Sequence, residues 1–104
     1  MAWLCLFAAG IFETLWAAAM KASHGFTVLL PSIVTVVCMA LSVGLLAVAM
    51  KALPLGTAYM VWTGIGAVGA FAAGVFFFGE SVSPMRLAAA GLIIAGLILM
   101  KASS

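Results

Sequence analysis

Four apolar runs separated by short polar stretches account for almost the whole chain. The first extends from about Ala2 to Met20 and stops at Lys21. The second extends from Pro31 to Met50 and is broken by Lys51 and Pro54, the third from Leu55 to Phe78, and the fourth from Pro84 to Lys101. Each run is long enough, as a helix, to cross a hydrocarbon core of roughly 30 Å. Pro31 suits the first turn of a helix, where its missing amide would be unpaired in any case, and Ser83 followed by Pro84 reads as an N-cap with proline at the first helical position. The pattern therefore predicts an all-α membrane protein with a single four-helix transmembrane domain over residues 1–104 and helices near 2–20, 31–50, 55–78 and 84–101.

The polar residues inside these runs are few. Glu13 is the only acid within an apolar segment, since Glu80 lies in the polar stretch Gly79-Glu80-Ser81-Val82-Ser83-Pro84. A helix rises about 1.5 Å per residue, so Glu13 is placed roughly 16 Å in from Ala2, near the bilayer midplane. A carboxylate there is costly and marks a functional site by default. Ser42 falls at the same depth in the second run. In the third, Tyr59 and Trp62 come in from the side shared with the termini, at about 6 and 10 Å. Residues three and four apart share a helix face, so Glu13 is flanked by Ala9, Gly10, Trp16 and Ala17; the small residues leave room beside the carboxylate, and an indole one turn away offers a ring face to a cation.

Plainer readings exist for several of these residues. An interfacial aromatic belt accounts for Trp3 and competes for Tyr59, whereas Trp62 is too deep for it. Ser42 could bond its own backbone or a neighbouring helix. Gly66, Ala70 and Gly74 form a small-residue stripe suited to close helix packing, and Gly64 with Gly66 could let the third helix bend. Gly91 and Gly96 suggest a helix contact in a fourth segment without polar interior, which reads as a dimerisation element. His24, Glu80 and Arg86 read as solvated loop or headgroup residues.

Composition narrows the classes. With 68% hydrophobic and 6% charged residues, the chain departs from soluble domains, about a quarter of whose residues are charged. The four bases lie at the edges of apolar runs, so they mark helix ends and not a nucleic-acid surface. Cys5 and Cys38 read as small hydrophobes. The residues before Ala17-Ala18-Ala19 carry no Lys or Arg and include Glu13, a poor match to a cleaved leader, so the first segment is expected to stay. No nucleotide-binding loop, metal-ligand cluster or nucleophile-base pair is present, so neither an enzyme nor a bound cofactor is expected.

Even helix number puts Lys51 and Lys101 on one side of the membrane and Lys21 and Arg86 on the other. Orientation follows an excess of Lys and Arg on the cytoplasmic side, and here the counts tie. The expectation is dual insertion, with oppositely oriented copies pairing as an antiparallel homodimer; the alternative is that lipid composition or the N-terminal amine breaks the tie. Four helices enclose little space, so a polar cavity is easier to build from two copies.

Desolvation disfavours the charged form of a carboxyl group, so a site of this kind can trade a proton for a cation. Two such groups across a dimer would titrate as a unit. A planar guanidinium suits it well, because two parallel N–H groups match one carboxylate while the flat face stacks on an aromatic ring.

At these residues the chain resembles the small multidrug resistance family of bacterial exporters. The resemblance covers essentially the whole chain and is most specific over Lys51-Ala52-Leu53-Pro54-Leu55-Gly56-Thr57-Ala58-Tyr59-Met60-Val61-Trp62-Thr63-Gly64-Ile65-Gly66-Ala67. Phe12-Glu13-Thr14-Leu15-Trp16-Ala17 is similar to the guanidinium-exporting subtype, as is Ser23-His24-Gly25-Phe26-Thr27. The resemblance implies an antiparallel homodimer in the bacterial inner membrane that exchanges protons for guanidinium. It implies Glu13 as shared ligand, Ser42 and Trp16 bonding or buttressing it, Gly10, Tyr59 and Trp62 lining the pocket, and bending at Gly64 and Gly66. The runner-up is a broader exporter of quaternary ammonium or aromatic cations. From another class, a proton-carrying subunit of a rotary motor would expect two helices and no need for Trp16 or Trp62.

Overall fold

A computed structural model describes residues 2–103. Four helices follow in order: α1 (Ala2–Ala22), α2 (Leu29–Ala49), α3 (Leu55–Phe78) and α4 (Pro84–Ala102). All four are long and apolar enough to cross a membrane. The bounds of α3 agree with those read from the sequence, and α4 starts as expected, with the Ser83 hydroxyl accepting the Arg86 amide at 3.2 Å and Pro84 in the first turn. α1 runs on to Ala22, which places Lys21 in its last turn, where a cation favours the helix dipole. α2 begins at Leu29, so Pro31 is its third residue. The missing proline amide still falls among the first four, which have no partner in the helix.

The connections are short and locally bonded. Buried Ser23 donates to the Met20 carbonyl at 2.6 Å and accepts the Phe26 amide at 3.0 Å, which holds a turn in which His24, Gly25 and Phe26 all take left-handed backbone angles. Gly79 ends α3 in the left-handed region at φ 64°, and the following Glu80 amide bonds back to the Gly74 carbonyl at 3.0 Å.

The helices lie side by side in the order α2, α1, α3, α4. The result is a slab of 40 × 34 × 16 Å, little more than one helix thick. Its core is Leu6 and Ala9 of α1, Leu46 and Ala49 of α2, and Ala58 and Val61 of α3, with Trp3, Met50, Leu53 and Met100 against it. All of these belong to the half that carries the termini. At that end the Lys101 ammonium lies 4.5 Å from the centre of the Trp3 ring, which adds a cation contact to the belt position expected for this residue. The opposite half, where the first and third loops lie, packs less closely. α4 rests on α3 and buries none of its residues.

Candidate functional site

α1 and α3 meet through glycines, because a helix without side chains on one face lets a neighbour's backbone approach. Gly10 of α1 receives the side chain of Ile65 of α3, and Gly66 and Gly69 of α3 receive Glu13 and Thr14 of α1. A Cβ at Gly66 would overlap the Glu13 carboxylate, and one at Gly69 would overlap the Thr14 hydroxyl. Thr14 donates that hydroxyl to the Gly10 carbonyl of its own helix at 3.2 Å. Among the described residues, no side chain or backbone group pairs with the Glu13 carboxylate. It rests on Gly66, half-buried.

Three helices are tied one turn from Glu13. The indole N–H of Trp62 donates to the Ser42 hydroxyl at 2.9 Å, and that hydroxyl donates to the Ala9 carbonyl at 2.6 Å. Ala9 is the residue whose carbonyl closes the helical bond of the Glu13 amide. Ser42 therefore braces the backbone that carries Glu13 and does not touch the carboxylate. Tyr59 stacks on Trp62, with ring centres 5.5 Å apart and planes tilted by 54°. The Trp16 indole N–H is buried without a hydrogen-bond partner among the described residues, a costly state for a donor that is nearly always satisfied. Glu13, Ser42, Trp62 and Tyr59 are thus brought into one layer. Gly10 is instead filled by Ile65, and Gly64 by Leu97 of α4. α3 passes through Gly64 and Gly66 as unbroken helix. Gly91 and Gly96 look onto open space on the outer helix.

The brace yields a direct expectation. Ser42→Ala removes a donor and leaves the Trp62 N–H with nothing to meet, at a cost of about 1–2 kcal/mol. Thr35 is equally buried, but its hydroxyl only returns to the Pro31 carbonyl of its own helix at 2.7 Å. Thermal unfolding in detergent should show a drop of several degrees for Ser42→Ala and a much smaller one for Thr35→Ala; equal drops would mean that the three-helix tie carries no stability.

Neither Thr14 nor Gly69 stood out in the sequence. The available signal was the glycine spacing in α3, which continues the stripe read at Gly66, Ala70 and Gly74. Two glycines of that stripe each take a carboxylate, Gly66 that of Glu13 and Gly74 that of Glu80.

From Ala17, one turn beyond Glu13, a cavity of about 370 Å³ runs to the end that carries the first and third loops. Ala17 and Lys21 of α1 follow Glu13 at four-residue spacing along one wall, and Ala70, Gly74 and Phe78 of α3 follow Gly66 in the same way. At its mouth are Glu80, Phe71 and Arg86. Arg86 is less free than a solvated headgroup residue: its guanidinium lies 5.8 Å from the centre of the Phe71 ring and donates to the Ser81 carbonyl at 3.1 Å.

The family model for the Small Multidrug Resistance protein matches residues 1–93. Among similar proteins, the guanidinium exporter of Salmonella typhimurium is 53% identical over 104 residues, covering all of this chain and 99% of the relative. The guanidinium exporter of Escherichia coli K12 is 54% identical over the same length, and that of Citrobacter freundii 53%. With a whole-length match of this kind and a mid-membrane carboxylate seated among glycines and aromatic rings, the chain belongs to the small multidrug resistance family.

Proposed function

We propose that two copies of this chain pair in antiparallel orientation and exchange protons for guanidinium and small guanidinyl cations by alternating access, exporting the cation across the bacterial inner membrane. The observation that carries the reading is the Glu13 carboxylate, held midway along α1 on Gly66 with no partner among the described residues. A carboxyl group left in this way accepts either a proton or a cation, and the two exclude each other. No group on the substrate is transformed, and the proton is the only coupling ion required.

The slab supports the rest of the reading. One chain closes its termini-bearing half with a packed core and carries a cavity in the other, so two copies of opposite orientation present one closed and one open half at each face, and the site opens to a single side only when the two copies take different shapes. The order of the helices leaves α4 on the outer edge, where Gly91 and Gly96 allow a second copy to approach. The orphaned Trp16 indole would gain an acceptor if the second copy's Glu13 came beside it. Tyr59 and Trp62 supply faces for a planar cation, and Gly64 and Gly66 give α3 the freedom to bend as the open end changes sides. The names of the relatives favour guanidinium over bulky aromatic cations.

In proteoliposomes with an imposed pH gradient, the chain is expected to accumulate guanidinium against its gradient and to leave tetraphenylphosphonium near background, with C-terminal reporters found on both faces of the cell membrane. Transport of neither cation would defeat the reading, transport of both would favour the broader exporter, and a reporter on one face only would remove the antiparallel pair.

A further inference from the structure

We infer that the mouth of the α1–α3 cavity is a second, outer station for a guanidinium cation, built from the Phe71 ring, the Ser81 carbonyl and the Glu80 carboxylate, and held by the chain's own Arg86 until substrate displaces it. The inference rests on the proposed guanidinium export and adds a place where the cation pauses before Glu13.

Arg86 itself displays the recognition. Its guanidinium takes the two contacts that a free guanidinium would seek, an aromatic face and a carbonyl acceptor. The third group, the Glu80 carboxylate, is folded back against Gly74 by the bond from its own amide to the Gly74 carbonyl, so this exposed side chain lies along the cavity wall. Glu80 forms no ion pair among the described residues and is open to an incoming cation. The cavity then leads inward past Gly74, Ala70 and Ala17, small residues that a flat cation can pass, and its inner end at Ala17 and Ala67 lies one turn or less along the helices from Glu13 and Gly66. Eight residues of α3 separate Gly66 from Gly74, a distance of about 12 Å between the two carboxylate seats.

The bases at the mouth fit this arrangement. Lys21 and Arg86 would repel a cation added to the site, but an incoming guanidinium replaces Arg86 on Phe71 and does not join it. Freed from the ring, Arg86 swings toward water, so the local charge is unchanged in the exchange. Arg86 thus sets a threshold that a cation without a planar donor face does not cross.

The test is pH-gradient-driven guanidinium uptake in proteoliposomes, read as KM and saturated turnover, for the wild type, Glu80→Gln, Glu80→Asp and Arg86→Lys. Arg86→Lys keeps the two-against-two balance of bases that governs insertion, while removing the planar fork. Glu80→Gln is expected to raise KM about threefold to fivefold, the upper part of the range of one exposed charge pair. Glu80→Asp, which keeps the charge one methylene shorter, should raise KM less than Glu80→Gln does, and Arg86→Lys should lower it, with the thermal midpoint unchanged in all three. Wild-type KM in Glu80→Gln, a rise in Glu80→Asp equal to that in Glu80→Gln, or a rise in Arg86→Lys would each overturn the outer station. Loss of uptake in the wild type itself would instead overturn the export reading on which the station rests.

Discussion

Glu13→Gln is expected to leave a folded chain that no longer moves guanidinium, with uptake down a pH gradient reduced to that of protein-free liposomes. The amide has the shape of the carboxyl group and keeps the contact with Gly66, so packing between α1 and α3 survives. What it loses is the exchangeable proton and the negative charge together. Without the charge, a desolvated cation has nothing at mid-membrane to offset the cost of leaving water, which amounts to several kcal/mol. Glu13→Asp keeps the charge but withdraws it by one methylene from the Gly66 seat, and should retain a measurable fraction of the transport. Undiminished uptake in Glu13→Gln would remove the carboxylate from the transport cycle and with it the reason for the surrounding glycines.

The second large effect belongs to the seat itself. A methyl group at Gly66 occupies the position of the Glu13 carboxylate, so Gly66→Ala must either push that side chain aside or force α1 and α3 apart. A displacement on the order of 1 Å at a site of fixed geometry costs about a hundredfold in rate, and uptake in Gly66→Ala is expected to fall by at least tenfold. Gly44 of α2 is the control, since nothing lies within 4 Å of a Cβ built there. Gly44→Ala should transport normally and gain some stability from the better helix former, about 1 kcal/mol at most. If both alanine variants transported alike, the close approach at Gly66 would be irrelevant to function.

Depth along each helix was legible in the sequence, and rotation about the helix axis was not. Counting residues from the ends of the apolar runs put Glu13, Ser42 and the aromatic pair of α3 near one another, and the structure keeps them together. The direction of each side chain within that layer could not be read. A soluble helix declares its buried side through an apolar stripe, but a helix that is apolar all round, like each of these, carries no such mark. Ser42 could accordingly be assigned a depth but no partner, and of the alternatives left open it takes the bond to a neighbouring helix, at the Ala9 carbonyl, while Gly10 faces Ile65 and not a pocket. Helix ends were clear where the chain supplies chemistry for them, as at Ser83-Pro84 and Gly79. They were unclear at the start of α2, where Val28 caps nothing with its side chain and the helix simply extends through Leu29 and Leu30. The role of Glu80 was hidden for a related reason: only the left-handed turn at Gly79 brings that carboxylate back over α3.

The bond that joins Trp62, Ser42 and Ala9 also acts as a fulcrum. It pins α3 to α1 and α2 at one level, and the glycines of α3 begin within one turn beyond it, at Gly64, Gly66 and Gly69. If α3 swings as proposed while the pin holds, these glycines would be its pivot, and its long arm would be the half that ends at Phe78. Because α4 rests on α3, it travels with that arm as a passenger, while α1 and α2 stay with the fixed frame. The load moved by such a lever is the cavity wall between Glu13 and the mouth, so a small rotation at mid-membrane would be read out as a wide movement at the membrane surface.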